Sequence, residues 1–184
     1  MSTPTNRTQW SSLLGILALT WTAGCATPLM PNVATYEDPF SGLRTDFIPA
    51  NLLASETASG ELVWLDAARV FQNAFDFKYY LEVRYQSLPA VGHLEIVPGQ
   101  GLLVTVDGKP MGFSGMGSVN PKKGPNGTLF EVALFQVTAG DLKAMASATN
   151  VEVTIVGRNR KVQRTFAKDN FDRFAEFVAR TTRP

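Results

Sequence analysis

The sequence predicts an α+β fold with a mainly antiparallel sheet of about seven strands and two helices. Three observations support this prediction: strands with alternating apolar and polar residues, turn signals that join consecutive strands, and two segments whose apolar residues recur at helical spacing. Five strands precede the first helix, and a hairpin separates the two helices. This order is typical of α+β domains and not of alternating α/β folds.

The clearest strand covers residues 76–87. Its odd-numbered residues from Phe77 to Tyr85 are apolar or aromatic, whereas most of the even-numbered ones are polar. One face should therefore pack and the other should contact water. Residues 61–71 are predicted as its partner strand, because the intervening segment is short enough for a hairpin connection.

A strong hairpin signal follows in residues 102–113. Asp107-Gly108 suits a type I′ turn, in which both central residues have positive φ. This turn would pair Val104 with Met111, which places apolar side chains opposite each other on one face.

The remaining three predicted strands lie in the second half of the chain. Residues 128–137 form a longer apolar segment in which only Glu131 is charged, so we expect this strand to be covered on both faces. A further hairpin joins residues 151–156 to residues 161–166.

Both helices are predicted from their ends and their apolar spacing. In the short helix at residues 138–147, Thr138 and Asp141 have the spacing of a capping box. The second helix runs from Asp169 to about Arg180, with acidic residues early and a basic residue late, as the helix dipole favours. Its apolar face is formed by Phe171, Phe174, Ala175 and Val178.

The first 25 residues have the layout of a secretory signal. A polar segment containing Arg7 precedes an apolar run from Trp10 to Trp21, and small residues follow. The run is about a dozen residues long, shorter than the roughly 20 residues that a membrane-spanning helix requires. A permanent transmembrane anchor is therefore not expected.

The segment TAGC at residues 22–25 resembles the lipobox of bacterial lipoproteins, although Thr22 stands where leucine is usual. In that family the cysteine thiol receives diacylglycerol, the chain is cut just before the cysteine, and the new amino group is acylated. The resemblance implies that residues 1–24 are a signal peptide and that Cys25 is lipidated. The alternative is a soluble secretory protein that is cut nearby and keeps an unpaired thiol.

The same resemblance implies a location. An aspartate after the cysteine retains enterobacterial lipoproteins at the inner membrane, so Ala26 implies an outer-membrane protein that faces the periplasm. Two or more acyl chains hold a protein stably on a bilayer, which makes the membrane its expected partner. Residues 25–36 are predicted as an extended tether and residues 37–184 as a single domain.

Composition narrows the functional classes. Without residues 1–24 the chain carries equal numbers of basic and acidic side chains, so it has no general attraction for nucleic acid. Cys25 is the only cysteine and His93 the only histidine, which excludes an intrachain disulfide and a histidine- or cysteine-rich metal site. An oxygen-only metal site remains open. We expect neither a cofactor nor a nucleic-acid partner.

Three segments have residues that suggest a site. The chain contains no nucleophile-elbow motif of the G-x-S-x-G type that could act with His93, so we interpret His93 as a loop or strand-end residue. Residues 112–127 are glycine-rich, but their prolines disfavour the helix into which a phosphate loop opens, so a flexible surface loop is predicted. Arg158, Arg160 and Lys161 cluster at one turn and are candidate contacts for an anion or a partner, or else a solvated hairpin tip.

No segment identifies a chemistry. The motifs YYLEVRY and VTVDGKP, with the closing order of helix, hairpin and helix, resemble a loose group of uncharacterised secreted bacterial proteins, which implies no activity. We therefore predict a lipid-anchored, non-catalytic binding module that contacts another envelope protein through a sheet face or the basic hairpin. The alternatives are an envelope-associated hydrolase, and a carrier with a cavity of at least about 300 Å³ under the closing helix.

Overall fold

The computed structural model of the protein describes residues 32–55, 60–71, 76–119 and 121–182. The proposed signal peptide, Cys25 and Ala26 lie outside these residues. The described part contains ten strands and two α-helices: β1 (Ala34–Glu37), β2 (Arg44–Phe47), β3 (Glu61–Phe71), β4 (Phe77–Ser87), β5 (Gly99–Val106), β6 (Lys109–Gly115), β7 (Lys122–Lys123), β8 (Leu129–Val137), α1 (Ala139–Ser147), β9 (Val151–Val156), β10 (Lys161–Thr165) and α2 (Lys168–Thr181).

The prediction of a mainly antiparallel sheet with two helices is confirmed. All strand pairs are antiparallel, and the strand order is β1-β2-β3-β4-β8-β6-β5-β9-β10, with β7 paired to β8. The predicted number of strands was wrong, because the sheet has ten strands and not seven. The three additional strands, β1, β2 and β7, have two to four residues each, too few to show an alternating pattern.

The fold includes residues that the sequence analysis assigned to the tether. Ala34–Glu37 forms β1, and the side chain of Val33 is buried in the core. The amide of Asn32 donates a hydrogen bond of 2.7 Å to the Glu176 carboxylate on α2. Residues 32–36 are therefore part of the domain.

A short extended segment closes the sheet on itself. The N–H of Leu53 donates to the carbonyl of Val63 on β3, and Ala54 and Thr165 of β10 exchange backbone hydrogen bonds of 3.0 and 3.3 Å. Residues 51–54 thus connect the β10 edge with β3, and the strands from β3 to β10 enclose one apolar interior.

Both predicted hairpins are present. Asp107 and Gly108 have φ values of 47° and 79°, as a type I′ turn requires, and Val104 pairs with Met111. In the second hairpin, Ile155 of β9 pairs with Val162 of β10.

The two helices pack into the same core. The predicted capping box of α1 is present, since the Thr138 hydroxyl accepts from the Asp141 N–H and the Asp141 carboxylate accepts from the Thr138 N–H. On α2, Phe174 and Phe177 are completely buried. The structure places no helix among the described residues that is long and apolar enough to cross a bilayer.

Strand β8 differs from its prediction. Its odd-numbered residues are buried, whereas Val132 and Leu134 on the outer face are 38% and 51% exposed. The expectation that both faces are covered was wrong for this reason. One apolar face of β8 points away from the core and remains accessible.

Candidate functional site

A groove of about 640 Å³ lies on the outer face of the sheet, along β8. Its floor consists of Phe130, Val132 and Leu134, which alternate with the buried residues of the same strand. We call it the β8 groove; its full lining is Tyr80, Ser114, Gly115, Met116, Gly117, Val119, Lys122, Phe130, Val132, Leu134 and Gln136.

The neighbouring segments supply the walls of the β8 groove. Tyr80 comes from β4, where it pairs with Gln136. On the other side Gly115 of β6 pairs with Phe135 of β8, and beyond β6 the N–H of Val119 donates a 3.1 Å hydrogen bond to the carbonyl of Val132, so that Met116 and Val119 line the groove. Met116 is 86% exposed, so an apolar side chain stands at the rim.

The two ends of the β8 groove differ in polarity. At one end Lys122 of β7 pairs with Phe130. At the other end the lining contains the uncharged polar side chains of Ser114 and Gln136. Lys122 is the one charged side chain among the described residues that line the groove.

A row of charged residues on β3 and β4 runs beside the floor of the β8 groove, which is an apolar strip one strand wide. Glu82 pairs with Leu134 on one side and with Asp66 of β3 on the other. Arg84 bridges the two carboxylates, at 2.5 Å from Asp66 and 3.5 Å from Glu82, and its guanidinium lies over the Trp64 ring. The apolar strip is therefore narrow, because charges begin one strand away.

Burial is the main cause of the raised pKa of the two carboxyl groups in this row. It is the largest effect raising the pKa of Asp66, where the N–H of Asn51 and the guanidinium of Arg84 oppose it only in part. The pKa of Glu82 is also raised, first by burial and then by the nearby charge of Asp66. In this row, Asp66 and Glu82, both with raised pKa values, face each other across β3 and β4.

The basic turn predicted as an anion or partner contact does not present three free cations. Arg158 forms an exposed ion pair of 2.7 Å with Glu95. Arg160 turns inward to the Glu61 carboxylate, while Lys161 remains exposed on β10. An anion contact at this turn stays a prediction, with Arg158 and Lys161 as its exposed charges.

The inward-turned Arg160 belongs to a partly buried polar cluster. Its guanidinium donates to both the Glu61 carboxylate and the Tyr85 hydroxyl, and that hydroxyl donates a 2.6 Å hydrogen bond to Glu61. Burial and the adjacent Glu61 charge raise the pKa of Tyr85. This cluster ties the β9–β10 turn to β3 and β4.

His93 lies beside a buried carboxylate, which the sequence did not indicate. Its Nδ1 is 3.3 Å from the Glu131 carboxylate, and a cavity of about 360 Å³ adjoins it. Glu131 accepts hydrogen bonds of 2.5, 3.0 and 3.1 Å from the N–H groups of Leu94, Glu95 and Ile96. Burial alone would raise the pKa of Glu131, but these donors and the Ser118 hydroxyl outweigh it and lower the pKa.

This arrangement differs from that of a hydrolytic triad. The Ser118 hydroxyl contributes to lowering the pKa of Glu131, and the Nδ1 of His93 has no hydrogen-bond partner among the described residues, so no hydroxyl is placed for activation by that nitrogen. The role of Glu131 that the geometry supports is to hold the backbone of residues 94–96. Among the described residues no group of three or more histidine, cysteine or acidic side chains is arranged to hold a metal ion.

The space under the closing helix, where an apolar-ligand carrier would need its cavity, is occupied by Phe174 and Phe177. The β8 groove lies on the other face of the sheet. Sequence reasoning missed it although its signal was visible: even-numbered apolar residues continue through a strand whose odd-numbered residues already supply the core.

Comparison of the chain with models of known protein families and with curated proteins finds no match.

Proposed function

We propose that this protein is a lipid-anchored component of the bacterial envelope that acts by binding and not by catalysis, with the β8 groove as its binding site. The observation that carries the proposal is the apolar outer face of β8. Val132 and Leu134 contact solvent, whereas the residues on the other face of the same strand are buried. Contiguous exposed apolar surface of this kind marks interaction sites in soluble domains.

A binding role also fits the polar clusters. Two of the described clusters of titratable groups have a structural use: Glu131 holds the backbone of residues 94–96, and Glu61 fixes Arg160 and Tyr85. A hydrolase would instead need a nucleophile within hydrogen-bond reach of a general base, about 3 Å. The Nδ1 of His93 makes no hydrogen bond with a hydroxyl group of the described residues.

The anchoring part of the proposal rests on Cys25 and on the resemblance of residues 22–25 to a lipobox. Lipidation there, followed by Ala26, would place the domain on the periplasmic side of the outer membrane, close to apolar and amphiphilic envelope molecules. Metabolic labelling with a fatty-acid probe tests this step. Label should appear in the wild type and be absent in Cys25→Ala, and label retained in Cys25→Ala would refute lipidation at this residue.

Binding by the β8 groove is tested separately with Nile red, an uncharged dye that fluoresces in apolar sites. Purified protein should increase the fluorescence of the dye, and Leu134→Asp should abolish most of the increase by placing a charge on the groove floor. Leu62→Asp is the matched control, because Leu62 is similarly exposed on β3 but does not line the groove. Equal fluorescence in all three proteins would reject the groove as a binding site.

A further inference from the structure

We propose that the β8 groove binds a single-chain amphiphile with an anionic head group, of the long-chain fatty-acid class. The head group lies beside Lys122, and the chain extends over Val132 and Leu134 towards Gln136. This inference depends on the proposed binding role of the groove and adds the chemical class and the orientation of the ligand.

The dimensions of the β8 groove suit one acyl chain. From Phe130 to Gln136 the strand advances about 20 Å, at roughly 3.4 Å per residue. One leaflet of a bilayer, half of a hydrocarbon core of about 30 Å, is about 15 Å thick, so an acyl chain of that length fits within the groove. The volume of about 640 Å³ is that of a small-molecule site.

The width of the apolar strip favours a chain over a flat protein surface. The floor is a single strand, and the adjacent row on β4 contains Glu82 and Arg84. A broad apolar partner would have to cover these charges, which is costly unless it pairs them. A narrow chain between Tyr80 and the Met116 rim leaves them in water.

The charge distribution determines the head group and its end of the groove. Lys122 is the one charged residue of the described lining, and no described carboxylate lies within 4 Å of its ammonium group. Beside Phe130, the neighbour on β4 is the uncharged Gln86, whereas Glu82 lies beside Leu134. An anion is therefore attracted at the Lys122 end, whereas further along the groove Arg84 and Glu82, beside Val132 and Leu134, are 3.5 Å apart as an ion pair and offer no unpaired cation.

The test uses three 16-carbon probes below their micelle concentrations: palmitate, hexadecanol and hexadecyltrimethylammonium. Their affinities are measured by displacement of Nile red from the purified protein. Palmitate should bind more tightly than the other two, and Lys122→Gln should weaken palmitate binding about fivefold while leaving hexadecanol unchanged, because one lysine near an anion contributes about 1 kcal/mol. Lys143→Gln, an exposed lysine on α1, is the charge-matched control and should change neither affinity.

The outcomes separate this inference from the proposed function. If all three probes bind equally and Lys122→Gln has no effect, the groove binds apolar ligands without selecting an anion, and this inference is rejected while the binding role stands. Preference for the cationic probe would reject it as well. If no probe displaces the dye although Leu134→Asp abolishes dye binding, the ligand is not a single-chain amphiphile. Unfolding curves of each variant confirm that the compared proteins are folded.

Discussion

Asp66 on β3 and Glu82 on β4 lie directly opposite each other on the outer face of the sheet, and the pKa of each carboxyl group is raised. Arg84 contacts both but does not compensate for the burial of either. Like charges opposite each other destabilise a sheet. We therefore expect the ionised pair of Asp66 and Glu82 to lower the stability of the fold.

Glu82→Gln should increase the free energy of unfolding at pH 7 by about 0.2–1 kcal/mol, the scale of a cross-strand charge pair. Because the pKa of Glu82 in the folded state lies above its ordinary value, the ionised group destabilises the fold at neutral pH. This penalty declines as the pH falls through the folded-state pKa. The gain should thus disappear in acid.

Urea unfolding at several pH values measures this effect. Glu37→Gln on β1 is the control, because Glu37 is exposed, and it should change stability little at any pH. A loss of stability in Glu82→Gln at pH 7 would show that the contact with Arg84 outweighs burial and the repulsion from Asp66.

Glu131 should behave in the opposite sense. Replacing it with leucine leaves the N–H groups of residues 94–96 without their acceptor, and each orphaned buried N–H costs about 1–3 kcal/mol. We expect Glu131→Leu to lower the free energy of unfolding by more than about 3 kcal/mol. Glu131→Gln keeps one acceptor oxygen and should cost less.

The acid limb of the stability profile provides a second readout for Glu131. Its pKa is lowered in the folded state, so its stabilisation is complete above the ordinary value of 4.5 and is lost as the pH falls through the folded-state pKa. Glu131→Gln should have a shallower acid limb than the wild type. An unchanged acid limb would mean that the carboxylate charge contributes nothing to the contact with residues 94–96.

The alternation along β8 makes a direct prediction from two adjacent residues. Phe135 is fully buried, so Phe135→Ala should cost about 3–5 kcal/mol, whereas Leu134→Ala removes a half-exposed side chain and should cost less than about 1 kcal/mol. Denaturant unfolding of both variants checks this. Similar losses would show that the outer face of β8 is covered within the protein itself, and would remove the basis of the β8 groove.

How much of this arrangement was visible in the sequence depends on how local its causes are. The turn at Asp107-Gly108 and the capping box of Thr138 and Asp141 involve neighbours in the chain, so both were predicted correctly. Arg160 and Glu61 are 99 positions apart in the chain, so no local sequence pattern could predict their contact. The β8 groove was missed because an apolar outer face implies a cover, and only the packed fold shows that none of the described elements supplies it.

The basic turn gives a final prediction, in which three neighbouring cations behave differently. Arg160→Ala removes two donors from the cluster of Glu61 and Tyr85, and hydrogen bonds to charged groups contribute about 1.5–3 kcal/mol, so a stability loss of that size is expected. Arg158 and Lys161 are exposed, and their alanine variants should change stability by less than about 0.5 kcal/mol. Unfolding experiments measure the loss in the free energy of unfolding for each of the three variants. Binding to vesicles of anionic lipid tests the same variants for the predicted anion contact of the turn. If that contact exists, Lys161→Ala should weaken vesicle binding without destabilising the fold. A stability loss shared equally by all three variants would contradict the inward orientation of Arg160.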